Sequence, residues 1–246
     1  MGAAEIVSTP RSTSRADPCP YGECDGSGLI LRPRDGATFG ETHYCRCLQD
    51  KRRRWLFEGA EVPARFRDVR LDGLDARHPR ALAAVRDYVS RWPNHGGRGL
   101  LFVGPAGVGK TTLAYAAFNA LLQDRGASGL ACNGADLLRD LGRGIRDQRL
   151  DERMDALCGA DLLLLDDLGA HRTASEWATE SFYAIANHRW ANERPTIATT
   201  MLDVTEWGAG GDPKAAQVWK AIASRVLGSS ERFLLGGPDR RLTPPR

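Results

Sequence analysis

The stretch LLFVGPAGVGKTTLAYAA, residues 100–117, constrains the fold of this chain more than any other. An apolar run ends at Val103, a glycine-rich turn follows, and an amphipathic helical pattern opens at Lys110. Gly104, Gly109, Lys110 and Thr111 fit G-x-x-x-x-G-K-[ST] in the strand-then-helix context that the motif requires. Glycines let successive backbone N–H groups turn inward around an anion, and the helix N-terminus adds partial positive charge. Gly104, Pro105, Ala106, Gly107, Val108, Gly109, Lys110, Thr111 and Thr112 therefore form a candidate phosphate cradle. Lys110 would reach the β- and γ-phosphates, and the Thr111 hydroxyl would ligate Mg²⁺. Only four of the 34 basic residues are Lys, so a compact ammonium kept at 110 points the same way. The plain alternative, an ordinary glycine-rich turn, does not require the full motif.

ADLLLLDDLG, residues 160–169, supplies a partner for that loop. Four leucines followed by Asp166 and Asp167 describe a buried strand with carboxylates at its C-terminal end, where ligands bind open parallel sheets. Asp166 would hold Mg²⁺ through water, and Asp167 would orient or deprotonate a water attacking the γ-phosphate; a cap of the following loop is the plainer role for Asp167. There is no Asn-Lys-x-Asp motif for guanine, which makes ATP the expected nucleotide.

The remaining pattern alternates. A helix over 78–92 precedes a strand at 99–103, a helix at 110–124, a short strand near 129–132, helices within 134–159, a strand at 161–165, a helix at 174–192 and a strand at 195–200. This order predicts an α/β fold, a parallel sheet sandwiched by helices. With 42% hydrophobic residues, 246 residues can bury one sizeable core and leave room for a small module. We expect three regions: a disordered N-terminus at 1–17, a Cys-rich module and basic helix at 18–60, and the α/β domain at 61–246. The net charge of +3 does not by itself announce a nucleic-acid binder. The leucine run Leu162–Leu165 is short and held between aspartates, so no membrane span and a cytoplasmic location are expected.

From about Val62 onward the chain resembles the AAA+ ATPases of the DnaC-like helicase loaders and the IstB-like transposition helpers. The resemblance is carried by VPARFRDVRLDGL (62–74), the phosphate loop, LLLLDDLGAHRTASEWATESFYAIANHRW (162–190), PTIATT (195–200), SRVLG (224–228) and GPDRR (237–241), in that order. It implies a P-loop AAA+ ATPase. It also implies that Arg225 is an arginine finger offered to a neighbouring subunit, so that activity requires self-association into an oligomer; a surface arginine on a C-terminal helix is the alternative. In similar proteins an Asn follows the threonines of the fourth core strand, whereas Met201 stands here and cannot donate a hydrogen bond. Either Thr200 takes over, or hydrolysis is weak. No lid arginine is expected.

Cys19 and Cys24 precede a glycine-rich turn, and Cys45 and Cys47 follow about twenty residues later, as two knuckles of a ribbon would. Four thiolates around Zn²⁺ can fold a segment too short for an apolar core. His43 is a possible replacement ligand for one of them, and uncoordinated thiols or an iron–sulfur cluster are the alternatives. Cys132 and Cys158 read as ordinary buried cysteines. A similar cysteine arrangement precedes the ATPase domain in some DnaC-like proteins and not in IstB-like helpers. The resemblance therefore implies a loader whose partners are a replicative hexameric helicase and single-stranded DNA. A transposition helper and a non-hydrolysing ATP-dependent DNA-binding adaptor are the competing readings. The basic stretch 51–57 can contact phosphates, dock on a helicase or be a solvated helix face, and Arg139, Arg143 and Arg146 fit either single-strand contacts or an exposed face; His78, His95, His171 and His188 read as structural.

Overall fold

A computed structural model describes residues 18–32, 41–74, 77–168, 176–201, 207 and 213–242. The chain divides into two units, Met1–Arg52 and Arg53–Arg246. In the first, β1 (Leu29–Arg32) pairs antiparallel with β2 (Glu41–Tyr44), and helix α1 (Arg46–Glu58) follows, with the division falling inside it. Among the described residues of this unit the only buried side chains are Cys45 and Cys47. Apolar burial therefore does not hold the hairpin together.

The second unit runs α2 (Pro79–Ser90), β3 (Gly99–Val103), α3 (Lys110–Arg125), β4 (Gly129–Asn133), α4 (Gly134–Arg146), α5 (Leu150–Gly159), β5 (Leu162–Asp166), α6 (Glu176–Ala191), β6 (Thr196–Thr200), α7 (Pro213–Gly228) and β7 (Ser230–Leu234). The five strands form one parallel sheet in the order β4-β5-β6-β3-β7. Its strand interiors are apolar on both faces because helices cover both. Leu100 and Phe102 face one layer with α2 and α3, joined by Leu162, Leu164 and Ile197. Leu101 and Val103 face the other with α4 to α7, joined by Leu163, Leu165 and Ala198. The period-two alternation of the strands thus assigns every core side chain to a face.

Two features depart from the sequence reading. The edge strand β7, with sequence SERFL, was not expected; its alternate residues are exposed, and it joins the sheet by parallel pairing with β3, Leu101 opposite Arg232. Helix α3 was expected to be amphipathic, yet Leu113–Leu122 is buried throughout. The sheet takes one side, α2 another, and the segment around Phe66 a third, with the Phe66 and Tyr115 rings stacked 4.4 Å apart. Asn119 on α3, fully buried, fastens that segment by donating to the carbonyls of Phe66 and Val69 at 2.7 and 3.0 Å.

Arg189 on α6 is 1% exposed, and among the described residues none of its hydrogen bonds goes to a carboxylate. It donates to the carbonyls of Leu157 and Ala160 at the C-terminal end of α5, to Pro195 O, and to Thr196 Oγ1 at the start of β6. The negative end of α5 offsets part of the charge, while burial lowers the guanidinium to about 10. One side chain thereby joins α5, α6 and β6. Arg189→Ala strands several buried carbonyls and is expected to lower stability by about 3 kcal/mol or more, measured as a drop in the urea midpoint with little change in slope.

Candidate nucleotide site and cysteine cluster

Because β6 lies between β5 and β3, the ends of three strands meet at the C-terminal edge of the sheet. The loop leaving β3 makes close approaches that only glycine permits. A Cβ on Gly104 would lie 2.0 Å from the carbonyl oxygen of Leu235, and Gly107, at φ +73°, would place one 2.8 Å from Cα of Asp239. The first turn of α3 has no side-chain cap, so its N–H groups stay available to an anion in the loop. Lys110 is 7% exposed, and its ammonium donates to the carbonyls of Gly104 and Pro105, both at 2.8 Å. Burial lowers its pKa, and Asp167 and Asp166 oppose that shift.

Thr111 Oγ1 donates to Asp166 Oδ1 at 2.8 Å. Thr199 Oγ1 donates to the same oxygen at 2.6 Å and accepts the backbone N–H of Asp167 at 2.9 Å. Asp167 is held at φ +58°, a left-handed conformation uncommon for non-glycine residues. The sequence reading offered Thr200 as one stand-in for the missing polar residue after the strand; the hydroxyl that meets Asp166 and the Asp167 N–H is that of Thr199. Thr199 shares strand parity with Ile197 and so faces α3, as Asp166 does with Leu162 and Leu164; Thr200 shares parity with Ala198 and is buried on the opposite side. Met201 lies at the strand end, 49% exposed.

A cleft of about 510 Å³ opens over this constellation, lined by Lys110, Thr111, Thr112 and Asp166 and by four residues not assigned to it from sequence: Arg65, Phe66, Arg240 and Arg241. The backbone N–H of Arg240 donates to Gly107 O at 3.1 Å, and Arg241 pairs with Asp239 at 3.2 Å. VPARF and GPDRR were legible as family markers, yet nothing in their spacing ties them to the phosphate loop. A second cleft, of about 520 Å³, is lined by the charged side chains of Glu61, Asp140, Arg143, Arg149 and Arg153 and shares no residue with the first.

Arg225 does not line the nucleotide cleft. Its Nε donates to Asn187 Oδ1 at 2.7 Å and its terminal nitrogens to Tyr183 Oη at 2.9 Å and Ala221 O at 3.1 Å, with the guanidinium 4.7 Å from the Tyr183 ring centre. Those bonds use three of five N–H donors. Arg139 and Arg143 are exposed and paired with Asp136 and Asp140, pairs too exposed to hold them firmly. Trp55, in the basic stretch, is 71% exposed. His78 contacts the phosphate loop through Val108 O at 3.1 Å, and His95 stacks on Tyr88 and lies tilted against Trp92. His171 lies outside the described residues.

In the N-terminal unit the sulfurs of Cys19, Cys24, Cys45 and Cys47 all lie within 4.8 Å of one another, and His43 is not one of the group. The Cys19–Cys45 and Cys24–Cys47 separations are 3.7 and 3.5 Å. A tetrahedral ion with metal–sulfur bonds of 2.3 Å requires sulfur separations of about 3.8 Å, so the donor set fits such an ion. The thiols also titrate apart. Burial raises the Cys47 thiol to about 12, helped by the neighbouring thiols, and raises Cys45 as well. Burial also works against ionisation of Cys19, but hydrogen bonds from Cys24, Tyr21, Glu23 and Cys45 outweigh it and bring Cys19 to about 6. Four crowded thiols cannot all ionise unaided, and a divalent cation removes that obstacle.

A parallel sheet, a phosphate loop after β3 and an aspartate pair at the end of β5, with β6 between those two strands, define a P-loop ATP-binding domain of AAA+ type. The chain belongs to the IstB-like ATP binding protein family, whose model matches residues 65–244. It is 25% identical over 206 residues to the replicative helicase loader DnaI of Bacillus subtilis, covering 78% of this chain and 65% of that protein. It is 32% identical over 145 residues to an ATP-binding protein of insertion sequence IS232 from Bacillus thuringiensis, covering 58% of this chain and 55% of that protein. The chain thus spans less than two thirds of the length of either curated relative. The crystal structure of the DnaC helicase loader superposes with a TM-score of 0.61 at 27% identity, covering 71% of this chain and all of that one. No helix among the described residues is long and apolar enough to cross a membrane.

Purified under reducing conditions, the chain is expected to carry one zinc ion, lost in the Cys19→Ser, Cys24→Ser double variant. Elemental analysis checks this; visible absorbance from bound iron would assign the cluster to iron and sulfur instead.

Proposed function

We propose that this protein is a Mg²⁺-dependent ATPase that helps load a replicative hexameric helicase onto single-stranded DNA. The observation that carries the reading is the convergence of Thr111 and Thr199 on Asp166 beside the Lys110 loop. A loop of inward N–H groups holds the triphosphate, and the Lys110 ammonium leaves its two carbonyls for the more strongly accepting β- and γ-phosphate oxygens. Mg²⁺, when bound, offsets phosphate charge. The Thr111 hydroxyl and the Asp166 carboxylate are the hard oxygen donors that suit it, with Asp166 acting through water. Asp167, aimed by its backbone turn, orients the attacking water and takes up its proton. Arg65, Arg240 and Arg241 add positive charge around the cleft from the same subunit.

Arg225 completes the site from a neighbouring copy, with two N–H donors left for the γ-phosphate. Hydrolysis is then tied to assembly, and nucleotide state controls how copies hold each other and the DNA. The four-thiolate unit, folded around Zn²⁺ in the region 18–60, recognises the helicase; Arg139, Arg143, Arg146 and the basic stretch of α1 supply DNA contacts. Likeness to the DnaI loader and the DnaC structure supports this choice of partner. The family match and the IS232 relative favour a second reading, in which the same ATPase chemistry delivers a transposase to target DNA. The Met201 substitution leaves a third, an ATP-dependent DNA-binding adaptor that does not turn over.

ATP turnover with and without single-stranded DNA separates these readings. Lys110→Ala and Arg225→Ala are each expected to reduce turnover by about 10²-fold or more, and Cys19→Ser with Cys24→Ser to abolish capture of a hexameric helicase while turnover persists. Equal, near-zero turnover in all chains supports the adaptor; unchanged helicase capture removes the cysteine unit from partner recognition.

A further inference from the structure

We infer that Thr199 is a positioning residue that couples the cation ligand Asp166 to the water-orienting Asp167. The inference rests on the ATPase reading above. A hydroxyl has one proton to give and two lone pairs, and Thr199 uses the proton and one pair in a defined direction. The proton goes to Asp166 Oδ1 at 2.6 Å, and a lone pair takes the Asp167 N–H at 2.9 Å. The Thr199 carbonyl also accepts the next N–H, that of Leu168, at 2.7 Å. Asp167 stands at φ +58°, a conformation an L-residue keeps only when its surroundings impose it. Here two successive N–H groups are fixed by one residue on the adjacent strand. The backbone from which the Asp167 carboxylate projects is therefore set by Thr199.

Thr111 donates to the same Asp166 oxygen at 2.8 Å. A cation that draws the Thr111 hydroxyl away leaves Thr199 still seated on Oδ1, and with it the bond that holds Asp167. At 1% exposure Thr199 has no water to substitute for either bond. Met201, at the strand end, is 49% exposed and brings no hydrogen-bond donor, and the hydroxyl two residues earlier supplies the coupling. Thr199 itself need not touch the nucleotide.

The test compares Thr199→Val, which keeps the shape and deletes the hydroxyl, with Thr199→Ser, which keeps the hydroxyl. Binding of a non-hydrolysable ATP analogue is measured by calorimetry across a Mg²⁺ series, alongside kcat and KM for ATP and the thermal midpoint. Thr199→Val is expected to lose about tenfold or more of the affinity gained with Mg²⁺ and to lower kcat more than it raises KM, while Mg²⁺-free binding stays within about twofold. Thr199→Ser is expected to recover most of both losses. Two outcomes overturn the inference: Thr199→Val matching the wild type in the Mg²⁺ series, or Thr199→Ser failing as fully as Thr199→Val with the same drop in thermal midpoint. If instead Lys110→Ala turns over like the wild type, the ATPase reading fails, and the Mg²⁺ series still decides whether Thr199 acts on Asp166.

Discussion

The parallel pairing of β3 between β6 and β7 is the constraint on which the rest of the unit depends. Parallel strands at the centre of a water-free sheet must end at the same edge, and their C-terminal ends open where no helix yet covers them. That edge receives the phosphate loop from β3, the aspartates from β5 and Thr199 from β6. The packing is close enough that Gly104 has no room for a side chain beside Leu235 O. A candidate site built this way is positioned by the core itself.

Charge is handled differently at three depths. Arg189 is fully buried and, among the described residues, answered by carbonyls and a hydroxyl, which makes it a fastener between elements. Arg225 is half-buried, held by Asn187, Tyr183 and Ala221 in its own subunit, with its guanidinium over aromatic rings. A side chain held that way is preorganised, so it has less rotamer entropy left to lose in any further contact. Arg139 and Arg143 are exposed and only loosely paired, as groups free to change partners must be. The same residue type serves as core strut, oriented donor or surface charge according to its depth.

The N-terminal unit follows another rule. Its described residues bury two cysteines and no aliphatic core, and four sulfurs gather at separations close to those of a tetrahedral ion. Folding there is tied to whatever satisfies the thiols. In the larger unit the apolar layers suffice.

The phosphate loop, the leucine strand with its aspartates, the α/β alternation and the cysteine pairs were all legible in sequence, because each depends on spacing along a single element or turn. What was misread or missed depends on distance across elements. Thr199 rather than Thr200 meets Asp166 because strand parity against α3 decides which hydroxyl faces the loop. α3 is buried on nearly every side because the segment around Phe66 folds back over it, and β7 is a strand because β3 offers it a free parallel edge. Arg65 and Arg240 reach the Lys110 cleft from opposite ends of the domain, a proximity that no periodicity encodes. The sequence by itself determined that a phosphate-binding parallel α/β domain follows a thiol-rich segment, since local backbone chemistry and hydrophobic period suffice for that. Only the tertiary structure decided which side chains share the cleft, since that is set by how strands are ordered and which face each residue turns toward the helices.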